Sequence, residues 1–273
     1  MSNWLFKITF GFMLAGAVAV GLSTAVFAGG LHPALASGPS LAPTIQQQMA
    51  GMSPAQRNAY EAKLANVQAH WVVPRASGAS SPQVVCCGGR GTVYTLGEIN
   101  VQEGGNDSWC GPATIQEMYS VWGISVPQAE AAAQMGTNSS GTYRGAMQTE
   151  ANRYQGYNYY VWQDLGPGGS GTSGAAALWN YTTQDILANV APAYNGETYS
   201  YYHGYPLAPY QGLDYKRYFP ASGYNTANDT IAVNDSHFDG TYWYSYYALW
   251  EFTDNFTTGW GGNGGFVPNQ ILW

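Results

Sequence analysis

Ser108-Trp109-Cys110-Gly111-Pro112-Ala113-Thr114-Ile115-Gln116-Glu117-Met118 places a cysteine at the head of a helical pattern. Pro112 falls in a first turn, where its missing N–H costs nothing. Ile115, Met118 and Trp122 recur on one face and Gly123 stops the run, which predicts a buried helix of about three turns. Cys110 then stands at the helix N-terminus. Aligned peptide dipoles and free N–H groups there favour an anion and draw a thiol toward its thiolate. A thiolate is the effective nucleophile, and Gly111 leaves room beside it for a substrate carbonyl. Attack on a carbonyl also needs a donor for the oxyanion. Gln102, in Val101-Gln102-Glu103-Gly104-Gly105, is the upstream candidate.

The rest of the 273 residues sets the address of this chemistry. Charged residues are 9% of the chain against 45% hydrophobic, with 10 Trp, 22 Tyr and 9 Phe. That much apolar and aromatic surface must be buried, which excludes a disordered chain. Nine Lys+Arg against 16 Asp+Glu give a net charge of −7 with no basic run, which excludes a nucleic-acid partner. Met1–Lys7 carries one positive charge, Ile8–Phe27 is apolar, and Val26-Phe27-Ala28 and Ala34-Leu35-Ala36 are small-residue processing sites. Residues 1–36 therefore read as a secretory signal peptide, and the protein as secreted or held at the cell surface. Left uncut, this segment is an anchor, the one route to a membrane.

Residues 37–92 form a linker with an upstream helix. The helix begins at Ser53-Pro54, carries Tyr60, Leu64, Val67 and Trp71 at helical spacing, and ends near His70-Trp71. It reads equally as a prosegment, a stalk or a packed helix. The turn-rich residues 76–92 mark a boundary, and 93–273 form the main domain. Helices are expected at 111–122, 127–135, 142–154 and 183–190. Strands are expected at 157–163, 215–222, 230–235 and 241–252. Early helices and late strands argue for an α+β fold.

Of the three cysteines, Cys86 and Cys87 are adjacent and Cys110 stands alone. A disulfide from Cys110 to one of the pair is the structural alternative to chemistry. No CxxC or HExxH occurs, so neither a metal nor a cofactor is implied. The Gly169–Gly174 string fits GxGxxG but lies in a glycine-rich loop, and the Tyr and Trp clusters read first as strand packing.

The Gln…Trp-Cys-Gly-Pro-Ala arrangement resembles the papain-like bacterial peptidases related to the bacteriocin leader-cleaving (double-glycine) peptidases. Met135-Gly136-Thr137…Gly141-Thr142 is similar to that family's "GT…GT" block. Ser222-Gly223-Tyr224-Asn225, followed by Ile231-Ala232-Val233-Asn234-Asp235, resembles its hairpin. The resemblance covers roughly residues 98–250. It implies a papain-like fold with N-terminal helices packed on a C-terminal antiparallel sheet. It also implies a peptide or protein substrate, Cys110 as nucleophile, a histidine base and Asp235 as the residue that orients it.

The resemblance places the base six residues before Gly223, at Arg217, within Tyr215-Lys216-Arg217-Tyr218-Phe219. Arginine does not accept a proton, although beside a thiolate it would depress the thiol pKa. Of the four histidines, His32 lies in or beside the signal segment and His70 at the end of the upstream helix. Three readings stay open. The domain is a pseudoenzyme, or His203 acts from its Tyr-rich loop, or His237 acts from the strand face of Asp235. Functionally these amount to a secreted cysteine peptidase-like domain or an inactive extracellular domain that binds peptide or glycan in an aromatic-lined cleft. A Tyr-rich surface protein with a structural Cys110 is the third possibility.

Overall fold

In the computed structural model the described residues are 49–50, 52–69, 93–97, 100–104, 108–156, 158–165, 172–199, 203–255 and 269–273. The expected signal segment 1–36, His32, His70, Trp71, Cys86 and Cys87 lie outside them. Helix α1 (Pro54–Ala69) opens as its Ser-Pro start predicts, with Ser53 Oγ accepting from the Gln56 N–H. Strand β1 (Val93–Thr95) precedes three helices: α2 (Cys110–Ser120), α3 (Gln128–Met135) and α4 (Arg144–Ala151). Strand β2 (Trp162–Asp164), helix α5 (Thr172–Leu187) and strand β3 (Ala193–Glu197) follow. The chain ends in β4 (Lys216–Asn225), β5 (Thr230–Asp235), β6 (Gly240–Ser245), helix α6 (Tyr246–Asp254) and β7 (Gln270–Leu272).

Seven antiparallel strands form one sheet in the order β2-β7-β3-β4-β5-β6, with β1 paired to β4. The class is α+β, as expected. Neighbouring residues in a strand face opposite sides, and here both sides are covered. Ala193, Tyr218 and Leu272 join Cys110, Ile115, Met118 and Met147 in one core. Tyr194, Phe219 and Ile271, each next in sequence to one of those strand residues, join Tyr60, Trp179, Trp250 and Trp273 in the other. Strands buried on both faces lose the alternation that marks a half-exposed strand.

Three boundaries differ from the sequence reading, the first being the strand expected at 157–163, of which only β2 (Trp162–Asp164) forms among the described residues. The strand expected at 241–252 stops at Ser245, and α6 begins. Ser245 caps the helix by accepting from the Ala248 N–H, and Tyr246, Leu249, Trp250 and Thr253 are its buried stripe. The helix expected at 183–190 instead starts at Thr172, inside the stretch read as a glycine loop. Ala175, Ala176, Ala177 and Leu178 are all buried, so α5 lacks the polar face that periodicity looks for. No helix among the described residues is long and apolar enough to cross a membrane.

Helix α1 packs on the domain through buried Tyr60, whose hydroxyl donates to Gln163 Oε1 at 3.3 Å. Lys63 Nζ lies 2.9 Å from Asp185 Oδ1 on α5 and 4.3 Å from the Trp273 ring centre.

Candidate active site

Cys110 is the first residue of α2, 5% exposed, and a free thiol. Three motif segments meet around it. Gly111 lies against Thr142, such that a Cβ on Gly111 would fall 2.5 Å from Thr142 Oγ1. Thr142 Oγ1 is 2.7 Å from Thr137 Oγ1, so the "GT…GT" block builds the wall behind the cysteine. The Tyr218 hydroxyl donates to the Thr142 carbonyl at 3.0 Å, and the Tyr218 backbone N–H donates to Cys110. Gly223 explains the hairpin motif: β1 crosses so close that a Cβ there would lie 2.5 Å from the Tyr94 carbonyl oxygen.

Arg217 is the side chain that draws the thiol pKa down, through its charge and a hydrogen bond. Its guanidinium is 1% exposed, and Nη1 donates to Glu103 Oε2 at 2.7 Å, the Glu103 side chain being 6% exposed. Nη2 lies 2.9 Å from His237 Nδ1 and the guanidinium carbon 4.9 Å from the Tyr215 ring centre. A guanidinium only donates. The contact with His237 therefore uses the imidazole's lone pair at Nδ1, leaving the ring proton on Nε2. His237 Nδ1 is also 3.7 Å from Glu103 Oε2, and the ring is flanked by Tyr210, Tyr215 and Phe238.

The other expected site residues are distributed unevenly. Asp235 ends β5, buried, and both its oxygens accept from the Tyr210 hydroxyl, at 3.0 and 2.9 Å. It also accepts the His237 backbone N–H at 3.0 Å. Burial raises its carboxyl above the usual range although these donors pull the other way. Residues 236–239 turn instead of continuing β5, so His237 reaches the site through the turn and not along a strand face. Gln102 is exposed, and its carbonyl accepts from Gln128 Nε2 at 2.8 Å. His203 is held at α6, with Nε2 3.1 Å from Asp254 Oδ2 and Nδ1 3.5 Å from Glu251 Oε1.

Electrostatics here differ from the helix-terminus expectation. Burial pushes the Cys110 thiol above its ordinary range; Arg217 pulls it down and Glu103 pushes it up again. Desolvation outweighs the helix N-terminus because the sulfur has little access to water. Glu117, seven residues along α2, is fully buried and accepts the Val101 N–H at 2.8 Å. Burial holds its carboxyl well above the usual range, and it ties the 100–103 segment to the cysteine helix.

Sequence reasoning missed Glu103, and the signal available was only that an acid must exist, not which one. A buried strand arginine in a chain with nine Lys+Arg requires an acid nearby, and Glu103 is adjacent to the residue singled out as donor. Among the described residues no group of three or more His, Cys, Asp or Glu is arranged to hold a metal ion.

No curated protein matches the chain. Residues 98–264 match the profile of the Peptidase_C39 like family. That span starts ahead of Glu103, runs through α2 to β6 and beyond α6, and includes Cys110, Arg217 and Asp235. With the helix-borne cysteine packed on an antiparallel sheet in the papain-like manner, the chain belongs to the Peptidase_C39 like family.

Proposed function

We propose that this protein is a secreted peptide-binding domain on a thiol-peptidase scaffold, which keeps Cys110 in the nucleophile's place without turning over peptide bonds. One observation carries the reading: the buried cation that acts on the thiol is Arg217, a guanidinium with no lone pair to take the thiol proton. His237 supports it, because its Nδ1 faces the Arg217 guanidinium. Within this reading Gln102, exposed and bonded through its carbonyl to Gln128, holds no oxyanion, and Asp235 orients no base. Asp235 serves mainly to fix Tyr210 and the 236–239 turn. No metal or cofactor takes part. Secretion rests on the pattern of residues 1–36.

The test compares the purified protein with Cys110→Ala on a diverse peptide mixture, read by mass spectrometry for new termini and by calorimetry for binding. Identical termini with peptide binding by both is the expected result. Cleavage that depends on Cys110 overturns it in favour of an active cysteine peptidase. Binding of oligosaccharides but not peptides moves the ligand to glycans.

A further inference from the structure

Buried charge around the sulfur sums differently from that of a working thiol–imidazole couple. There the thiol proton moves to the ring, and thiolate and imidazolium balance each other. Here Arg217 carries a fixed positive charge, and Glu103 meets it at 2.7 Å with both side chains almost fully buried. The pair is neutral while Cys110 keeps its proton. Ionising the thiol adds an uncompensated negative charge to a site that water scarcely enters.

We propose that Glu103 is the residue that silences Cys110: its carboxylate takes up the Arg217 charge that would otherwise stabilise a thiolate. This rests on the inactive reading above and adds its cause. Two observations besides the ion pair support it. The Glu103 N–H donates to the Ser236 carbonyl at 3.0 Å, fixing the backbone that presents the carboxylate. Glu103 also lies 3.7 Å from His237 Nδ1, so its carboxylate meets both Arg217 and the histidine that contacts it. A carboxylate there disfavours any developing oxyanion as it disfavours a thiolate.

The experiment is alkylation of the purified full chain by iodoacetamide across a pH series, with modification at Cys110 quantified by peptide mass. The thiol loses its proton to solvent, sulfur attacks the methylene carbon, and iodide leaves as the C–S bond forms. Removing the Glu103 charge leaves Arg217 free to pair with the thiolate. Glu103→Gln should therefore shift the profile to lower pH and speed alkylation at pH 7 about tenfold. Glu103→Asp should stay near the wild-type profile. Glu103→Gln combined with Arg217→Gln should lose the gain. Glu103→Ser serves the same purpose where Glu103→Gln does not accumulate.

An unchanged profile in the folded neutral variants, or a gain that survives loss of Arg217, overturns the assignment. The two proposals fail separately. Cys110-dependent peptide cleavage by the wild type refutes the inactive reading, whereas the alkylation profiles judge Glu103 alone.

Discussion

Thr142 Oγ1 occupies the space beside Gly111, 2.5 Å from where a Cβ would stand and 2.7 Å from Thr137 Oγ1. A methyl group at residue 111 must displace a hydroxyl that is itself tied to a neighbour. Gly111→Ala should cost about 1–3 kcal/mol, as overpacking in a buried site does. Thr142→Gly, which removes both the opposing hydroxyl and the Cβ that would lie 2.7 Å away, should recover part of that loss when combined with it. Urea unfolding of the two single variants and the double variant measures the coupling; strictly additive losses would refute the clash.

Lys63 and Asp185 form an ion pair that joins α1 to α5. Burial raises the Asp185 carboxyl from 3.8 to about 6, against the pull of Lys63. An acid whose pKa is higher in the folded state binds its proton more tightly there. Its contribution is fully present below about pH 4 and is lost as pH rises through about 6. Relative to Asp185→Asn, the wild type should lose about 3 kcal/mol between pH 4 and pH 7. Denaturant midpoints for both proteins at the two pH values test this, and parallel profiles would contradict it.

Removal of Arg217 alone strands the Glu103 carboxylate in the interior. Arg217→Gln should destabilise by about 3–5 kcal/mol, the usual cost of half a buried ion pair. Glu103→Gln with Arg217→Gln should cost less than Arg217→Gln by itself. Thermal melts of the two variants report this directly. Equal melting temperatures for Arg217→Gln and the double variant would mean that the pair is not coupled.

Installing a base tests the silenced site from the opposite side. Arg217→His should give no Cys110-dependent cleavage while Glu103 remains. Arg217→His with Glu103→Gln should give slow cleavage. The imidazole then takes the thiol proton and returns it to the departing amine as the C–N bond breaks, and water releases the acyl group from sulfur. Comparing each variant with its Cys110→Ala counterpart isolates the cysteine's contribution. Cleavage by the single Arg217→His variant would show that Glu103 does not hold the thiol back.

Ser245 marks the change from β6 to α6 by capping the helix at Ala248. Ser245→Ala should cost about 1 kcal/mol. Hydrogen exchange should quicken first at residues 246–248, whose amides belong to the helix's opening turn.

The elements legible in the sequence were those whose signals are local. Proline in the first turn of α2 and the Ser-Pro start of α1 each report their own backbone. Strands β3 and β7 carried no such signal. Ala193 and Tyr194, like Ile271 and Leu272, face two different cores, so polar residues do not alternate with apolar ones. At the candidate site the cysteine and the displaced base were readable because the motif fixes their spacing. Glu103 was not, because only the fold decides which of two adjacent residues in an extended segment turns toward a helix, and Gln102 turned out instead. Tyr210's claim on Asp235 likewise spans 25 residues and leaves no local trace.

Strand β7 lies between β2 and β3, and β2 is hydrogen-bonded in the sheet to β7 alone. Synthesis reaches residues 162–164 long before 270–272, so one margin of the sheet waits without a ladder partner while most of the chain is made. Val161 and Trp273 then lock the seam by exchanging backbone hydrogen bonds at 3.0 and 3.1 Å. The last turn of the key is late and non-local, which slows folding.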